Sequence, residues 1–204
     1  MNKFLFLLLF VFQMNAQDTI VFPKVDAFKR NILEVSYGKP LGALSNKYDF
    51  AVTTSFFMRT KIANSQFVDF GLSLSGIVRG NSVNYQVGSE SLVLDGSKTG
   101  LFLGFRYAAF LVQSKNENFH IESLTGLGWT YLHYSKPDDP IYEELDLKPT
   151  LHTIGISQGI KIVVHGFGLH CSYHYAPYDL FNSKIERSFG SSYLQFGISG
   201  SWNF

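Results

Sequence analysis

The sequence predicts an all-β protein, an eight-stranded antiparallel up-and-down β-barrel that crosses a membrane, and three observations support this prediction. Long segments alternate bulky apolar residues with small or hydrophilic ones, which is the period of a β-strand with two unlike faces. The connections between these segments are alternately short and mostly longer along the chain. Charged residues make up only 16% of the 204-residue chain and aromatic residues another 16%, whereas a soluble domain has roughly 25% charged residues.

The N-terminus has the layout of a secretory signal peptide. Lys3 supplies a positive charge, and nine apolar residues follow without interruption over Phe4–Phe12. As a helix this run would rise about 14 Å, too short for a hydrocarbon core of about 30 Å. We therefore predict a signal peptide over residues 1–16, cleaved after Ala16, rather than a buried core helix, followed by a short periplasmic segment over residues 17–29.

Eight runs of period two follow and predict a barrel over residues 30–204. In the third run Phe70 and Leu72 share one face, while Asp69 and Ser73 share the other. The runs exceed the roughly five or six residues of a strand in a soluble sheet and reach the about 9–11 that a tilted membrane strand needs. The predicted strands occupy approximately residues 30–38, 48–59, 67–78, 99–111, 119–134, 151–164, 167–175 and 194–204.

The connections separate into two classes. Those at residues 60–66, 113–118 and 164–166 are short, whereas those at 39–47, 80–98, 135–150 and 176–191 are mostly longer and polar. Bacterial membrane barrels combine short periplasmic turns with longer external loops. All seven connections fall on the matching side if both termini are periplasmic, and we predict that orientation.

The last run, Tyr193–Phe204, alternates apolar and small polar residues and ends in Phe. With the signal peptide and the eight alternating runs, the chain resembles the small eight-stranded outer-membrane barrels of the OmpA/OmpX-like type over nearly all of its mature length. The resemblance implies the outer membrane of a Gram-negative cell envelope as the location, with outer-membrane lipid and lipopolysaccharide around the barrel. It also implies that Trp202 and Phe204 form a C-terminal signal read by the barrel-assembly machinery.

Several charges fall on the predicted inward face, where an isolated charge is costly. Hairpin register places Glu122 opposite Lys161 and brings Arg59 near Asp69. Because eight strands enclose an interior that side chains fill, such pairs predict a plugged lumen without stable ion conductance. The predicted interior network of charged and polar residues comprises Glu34, Arg59, Asp69, Arg106, Glu122, Lys161, His170, Ser172 and His174.

His170, Ser172 and His174 alternate along one strand and permit more than one reading. A Ser nucleophile needs a His within hydrogen-bond reach, and residues two apart on a strand share a face. A lipid-modifying enzyme would hold its nucleophile on the lipid side, however, whereas these three residues are predicted to point inward. We therefore favour a hydrogen-bond network over catalysis or a two-histidine metal site, and we predict no cofactor. The chain's one cysteine, Cys171, is predicted on the lipid side and excludes a disulfide framework.

Two external loops carry further candidate sites. The loop from Lys136 to Lys148 contains five carboxylates, which could hold a divalent cation but are more simply explained as a solvated loop: Asp138, Asp139, Glu143, Glu144 and Asp146. Apolar residues in the segment 176–181 could either fold over the barrel mouth or bind a partner.

Three classes of function remain open at this level. We favour a non-catalytic barrel with a structural or surface-binding role through its external loops, to an extracellular partner that the sequence does not name. A narrow pore for ions or small ligands and a lipid-modifying outer-membrane enzyme are the alternatives. A formal net charge of +1 excludes a general basic footprint for nucleic acid.

Overall fold

The computed structural model describes residues 29–87, 90–115, 118–135, 150–182 and 191–203. The signal peptide and the segment before Lys29, the whole acidic loop from Lys136 to Lys148, and Phe204 lie outside these ranges. Short 3-10 turns occupy Gly42–Asn46 and Tyr178–Leu180. The described residues form nine strands: β1 (Lys29–Leu41), β2 (Phe50–Ala63), β3 (Gln66–Val78), β4 (Val83–Val87), β5 (Glu90–Gln113), β6 (Phe119–Ser135), β7 (Thr150–Val164), β8 (Phe167–Tyr175) and β9 (Ser192–Asn203).

Strand pairing closes the sheet into a barrel. β1 pairs with β2 on one side and with β9 on the other, and β3 pairs with β5 across the β4 hairpin. All of these pairings are antiparallel. The predicted closed eight-stranded antiparallel barrel is therefore confirmed, and its wall consists of β1–β3 and β5–β9. Within the described ranges, no helix is both long and apolar enough to cross a membrane.

The predicted connection at 80–98 is the main difference between sequence and structure. It contains a β-hairpin in which Val83 pairs with Leu94 and Val87 pairs with Glu90, so β5 begins nine residues before the predicted start at 99. Its sequence alternates Val, Tyr and Leu with polar residues, which favours strands over an irregular loop. The hairpin extends the barrel wall at the end away from the chain termini.

The two ends of the barrel differ in their connections. Lys29 and Asn203 lie at one end, called the terminal end here, where Arg30 pairs with Asn203. Two-residue turns join β2 to β3 and β7 to β8 at this end. His165 and Gly166 both have positive φ, at 49° and 84°, as a type I′ hairpin turn requires. The opposite end, called the loop end, carries the longer connections.

The polarity of the barrel is the inverse of a soluble protein's. Along β5 and β8, Phe105 and Leu169 are 57% and 64% exposed on the outer face. Their chain neighbours Arg106 and His170 point inward and are buried. Burying polar groups while exposing bulky apolar ones is costly in water and favourable in lipid. The outer face is therefore suited to a hydrocarbon environment.

A row of inward-facing glycines makes room for two rings in the interior. Gly71 pairs with Gly104, Gly104 with Gly128, and Gly128 with Gly155, so the row crosses β3, β5, β6 and β7. A Cβ atom at Gly128 would come within 2.5 Å of the Phe102 ring, and one at Gly71 within 2.6 Å of the ring of Phe57. Any larger side chain at these positions would displace a ring, because interiors are close-packed.

An apolar cluster closes the loop end. Residues of the connections, such as Leu44 and Tyr178, pack there against residues at the strand ends, such as Leu132 and Leu151. We call this cluster the apolar cap; its buried members are Leu44, Tyr48, Ala51, Leu94, Leu132, Tyr134, Leu151, Ala176 and Tyr178. The cap removes water from the mouth of the barrel on this side.

Candidate functional site in the barrel interior

Arg59 of β2 is held between two carboxylates in the barrel interior. Its Nε donates to Asp69 Oδ1 at 2.6 Å, and its Nη1 donates to Glu122 Oε1 at 2.7 Å. Its Nη2 donates to the other oxygen of each carboxylate, at 3.0 and 2.9 Å. His120 Nε2 lies 2.8 Å from Glu122 Oε1. The predicted proximity of Arg59 and Asp69 is thus present as a bidentate contact between neighbouring strands.

Arg106 of β5 makes the second junction of the network. Its Nε donates to Asp69 Oδ2 at 3.0 Å, and its Nη1 and Nη2 donate to the two oxygens of Glu34 at 2.8 and 3.0 Å. The guanidinium also lies 4.1 Å from the centre of the Phe57 ring, within the range of a cation–π contact. Asp69 therefore joins Arg59 to Arg106, and Glu34 carries the network to β1.

The ammonium group of Lys161 does not form its salt bridge with the residue directly opposite on the neighbouring strand. The structure places it opposite Glu122 in the β6–β7 register, as the hairpin arithmetic predicts. Its ammonium nevertheless donates to Glu34 Oε1 on β1, at 2.8 Å. The Glu122 carboxylate is already bound by Arg59 and His120, so Glu34 is the acceptor that Lys161 uses.

These residues form one balanced and buried unit, which we call the charge network. It contains three cations and three carboxylates, all at most 8% exposed, and they are Glu34, Arg59, Asp69, Arg106, Glu122 and Lys161. Burying a charge without a partner costs several kcal/mol, but bidentate pairing offsets that cost. The network joins β1, β2, β3, β5, β6 and β7 across the barrel interior with fixed charges of both signs.

The three predicted Ser and His residues lie between the charge network and the apolar cap. Ser172 Oγ is 2.9 Å from His174 Nε2, and the His174 ring stacks on Tyr193 at 4.5 Å. His170 Nε2 lies 3.2 Å from Ser36 Oγ on β1 rather than near Ser172. The structure therefore joins only two of the three residues directly.

The cavity beside these residues is too small for a lipid substrate. It has a volume of about 50 Å³ and is lined by His170, Ser172, His174, Glu34 and other inward-facing residues. Small-molecule sites usually have about 300–1,000 Å³. The described residues contain no group of three or more His, Cys, Asp or Glu side chains that could hold a metal ion. Hydrogen bonding within the lumen is the chemistry that this geometry supports.

The structure shows the first of the two alternatives for the segment 176–182, folding over the barrel mouth, while partner binding stays a prediction. Ala176 and Tyr178 are buried in the apolar cap, whereas Leu180 and Phe181 are 68% and 44% exposed outside it. Phe181 contacts the stacked rings of Trp129 and His152 on the outer face. The segment thus closes the mouth on its inner side and extends an aromatic surface on its outer side.

Two tyrosines outside the membrane-spanning strands have perturbed ionisation. Burial raises the pKa of the Tyr178 phenol well above its ordinary value of 10.0, and the nearby Tyr48 reinforces this effect. Burial likewise raises the pKa of Tyr48. Both phenols are therefore neutral near pH 7.

Some interior residues were missed in the sequence reading. His120 shares a face with Glu122, so period-two alternation could have placed it inside. Phe57 shares the inward face of Arg59 in the same way. The cap residues Leu44 and Tyr48 carry no such signal, because they lie in a connection rather than in a strand. Trp202 is exposed on the outer face, and its predicted partner in the assembly signal, Phe204, lies outside the described residues.

Comparisons with known proteins concern the fold alone. No protein-family profile matches the chain. No curated protein sequence matches it either. Among solved structures, the chain is similar to the attachment invasion locus protein Ail of Yersinia pestis in complex with the heparin analogue sucrose octasulfate, at 10% identity and a TM-score of 0.41, covering 86% of this chain and 97% of that one.

Two further solved structures are similar at the same level. Neisserial surface protein A matches with a TM-score of 0.44 and 10% identity, covering 85% of this chain and 96% of that one. A transmembrane β-barrel designed de novo matches with a TM-score of 0.40 and 12% identity, covering 89% of this chain and 100% of the design.

Proposed function

We propose that this chain is an integral outer-membrane barrel protein that seals its own lumen, has no catalytic activity, and acts through a structural or surface-binding role at its loop end. The observation that carries the membrane assignment is the inverted polarity of the wall. Leu72 is 42% exposed and Leu74 is 53% exposed, whereas Ser73 between them is 8% exposed. A continuous outer surface of this kind is stable only when lipid covers it.

The sealed lumen supports the non-conducting part of the proposal. The charge network and the apolar cap lie in series along the barrel, so an ion would have to displace salt bridges and then cross an apolar layer. Both steps are unfavourable for a hydrated ion. The narrow-pore alternative finds no support in this arrangement, and the small cavity at Ser172 and His174 does not support the lipid-modifying alternative.

The loop end supports the surface role. Longer connections gather there, and the segment 176–182 is held in a defined conformation against β7. A loop segment held on the barrel wall is a suitable platform for binding, because functional residues commonly lie on loops that a scaffold positions. If both termini are periplasmic, the loop end faces the cell exterior, where lipopolysaccharide surrounds it.

Photochemical labelling tests the membrane assignment on the unaltered protein. The purified barrel is reconstituted into vesicles that contain a phospholipid with a diazirine in its acyl chain, irradiated, and mapped by mass spectrometry. We expect label on the outward residues of β3, Leu72 and Leu74, and none on Ser73, which is the matched control within the same strand. Label on Ser73 with none on its neighbours would overturn the proposal.

A further inference from the structure

A polar cavity opens at the terminal end, away from the loops. It has a volume of about 300 Å³, at the lower limit of the roughly 300–1,000 Å³ usual for small-molecule sites. Its lining comes from the first residues of β1, β3 and β6, the last residues of β2 and β5, and the turn at Asn64 and Ser65. The cavity is therefore a feature of the barrel's end and is separate from the small interior cavity near His174.

The lining is rich in positive charge and in hydrogen-bond donors. Arg30, Arg59 and Lys61 contribute to it, and no Asp or Glu is among its described lining residues. Asn64 and Gln113 add side-chain amides. The charge network is balanced within itself and does not include Lys61, so the charge of Lys61 is additional to it. The electrostatic potential of this cavity is expected to favour an anion.

The floor of the cavity is formed by packed aromatic rings. The ring centres of Phe67 and Phe110 are 4.9 Å apart, and those of Phe110 and His120 are 4.4 Å apart. The Arg59 guanidinium lies 5.1 Å from the Phe67 ring centre, while four of its hydrogen bonds go to Asp69 and Glu122. Arg59 is thereby committed to the charge network, and Lys61 at the wall is the cation placed to contact a ligand.

We propose that this terminal-end cavity binds a soluble oxyanion, a phosphate or carboxylate group carried on a small molecule, with Lys61 as a contact residue. The cavity lies inside the barrel wall, so a free anion from the aqueous side reaches it, whereas the acyl chains of a lipid would remain outside the wall. That the aqueous side is the periplasm rests on the proposed function. The anion site itself does not.

The test uses inorganic phosphate and the purified, folded full chain in an uncharged maltoside detergent. Phosphate bound to a slowly tumbling micelle has a broadened phosphorus NMR line, and the concentration dependence of the broadening gives the affinity. We expect Lys61→Gln to weaken phosphate binding by about tenfold, the effect of losing one hydrogen bond from a charged group. The matched control is Lys115→Gln, since Lys115 is exposed in a turn at the same end and does not line the cavity.

Two results would overturn the proposal. One is the absence of broadening with the wild-type protein, and the other is equal weakening by Lys61→Gln and Lys115→Gln, which would indicate diffuse charge rather than a site. A folded, heat-modifiable band on an unheated gel confirms that each variant retains the barrel. The labelling experiment on β3 is independent of this result, so failure of the anion site and failure of the membrane assignment are distinguishable.

Discussion

Glu34 is the carboxylate on which two buried cations depend. Arg106 binds both of its oxygens and Lys161 binds one of them, and all three groups are buried. Removing one member of a buried ion pair is more damaging than the pair is stabilising, because the remaining charge stays desolvated. The role of Glu34 is therefore to offset the desolvation cost of the buried charges of Arg106 and Lys161.

We expect Glu34→Ala to lower the free energy of unfolding by about 3–5 kcal/mol, since it leaves Arg106 and Lys161 short of a carboxylate. Urea unfolding in lipid vesicles, followed by tryptophan fluorescence, measures the change. Ser36→Ala is the matched control, because it removes only a neutral contact to His170 from the next inward position, worth about 1 kcal/mol. Adding Lys161→Met to Glu34→Ala should restore part of the loss. Equal effects of Glu34→Ala and Ser36→Ala would contradict this account.

Gly71 and Gly76 lie in the same strand. Replacing each of them by Ala tests how tightly the barrel interior is packed. A Cβ atom at Gly71 would meet the Phe56 carbonyl oxygen and the Cα atom of Phe57, whereas a Cβ atom at Gly76 would have the Val52 carbonyl oxygen as its nearest neighbour, 4.0 Å away. We expect Gly71→Ala to destabilise the barrel by about 1–3 kcal/mol and Gly76→Ala to be neutral or slightly stabilising. The temperature at which the folded gel band disappears gives the comparison. Similar temperatures for the two variants would show that packing of the Phe57 ring does not require a glycine at position 71.

At the scale of elements, Asn182 holds the segment 176–182 against the barrel. Its Nδ2 donates to the carbonyl oxygens of His152 and Tyr178, at 2.7 and 2.6 Å. These bonds keep Tyr178 inside the apolar cap and Phe181 on the aromatic surface outside it. Asn182 thus supports the conformation of this segment, together with the hydrogen bond that Thr153 Oγ1 donates to the Pro177 carbonyl oxygen at 2.7 Å.

We expect Asn182→Ala to accelerate cleavage of the folded protein by chymotrypsin at Leu180 and Phe181 by roughly tenfold, because losing the two hydrogen bonds costs about 1–2 kcal/mol. Time courses of limited proteolysis give the rates. Asp179→Asn is the control, since Asp179 is an exposed residue of the same segment. An unchanged cleavage rate in Asn182→Ala would mean that packing of Tyr178 alone holds the loop.

The same scale shows what period-two alternation can and cannot predict. Alternation along one strand places Glu34 and Arg106 on the inward face, and the register of a hairpin places Arg59 beside Asp69, because both are local properties of adjacent strands. The contact of Lys161 with Glu34 joins β7 to β1, which are not neighbours. It depends on the stagger of the closed barrel and on the reach of a long side chain, and neither is written in a local pattern.

The loop end was the hardest part to predict for a related reason. The β4 hairpin is only five residues long on one side, so its alternation is too brief to separate from a polar loop. Tyr178 enters the cap because apolar surface at the barrel mouth is available to it, a tertiary condition that residues 176–181 do not carry themselves. The functional roles assigned to the interior residues remain predictions.

At the scale of the whole molecule, the charge network and the apolar cap together predict a barrel that does not conduct ions. We expect no stable conductance from the wild type in a planar bilayer. The double variant Glu122→Ala/Lys161→Ala should show leak currents, and adding Tyr134→Ala, which opens the apolar cap, should increase them further. Ile121→Ala/Ile162→Ala is the matched control, since these residues pair one position away on the same two strands and face outward. Steady wild-type channels would refute the sealed lumen and favour the pore alternative.

The contact between Glu34 and Lys161 has a consequence for the order of folding. The two residues are 127 positions apart in the chain and lie on strands that are not neighbours. Hairpins can form one after another without it, so the contact contributes nothing until the first and last strands meet. If this meeting follows the rate-limiting step, breaking the contact speeds unfolding and leaves the folding rate nearly unchanged. The charges inside this barrel would then determine how slowly the closed barrel unfolds, and would have little effect on how fast it folds.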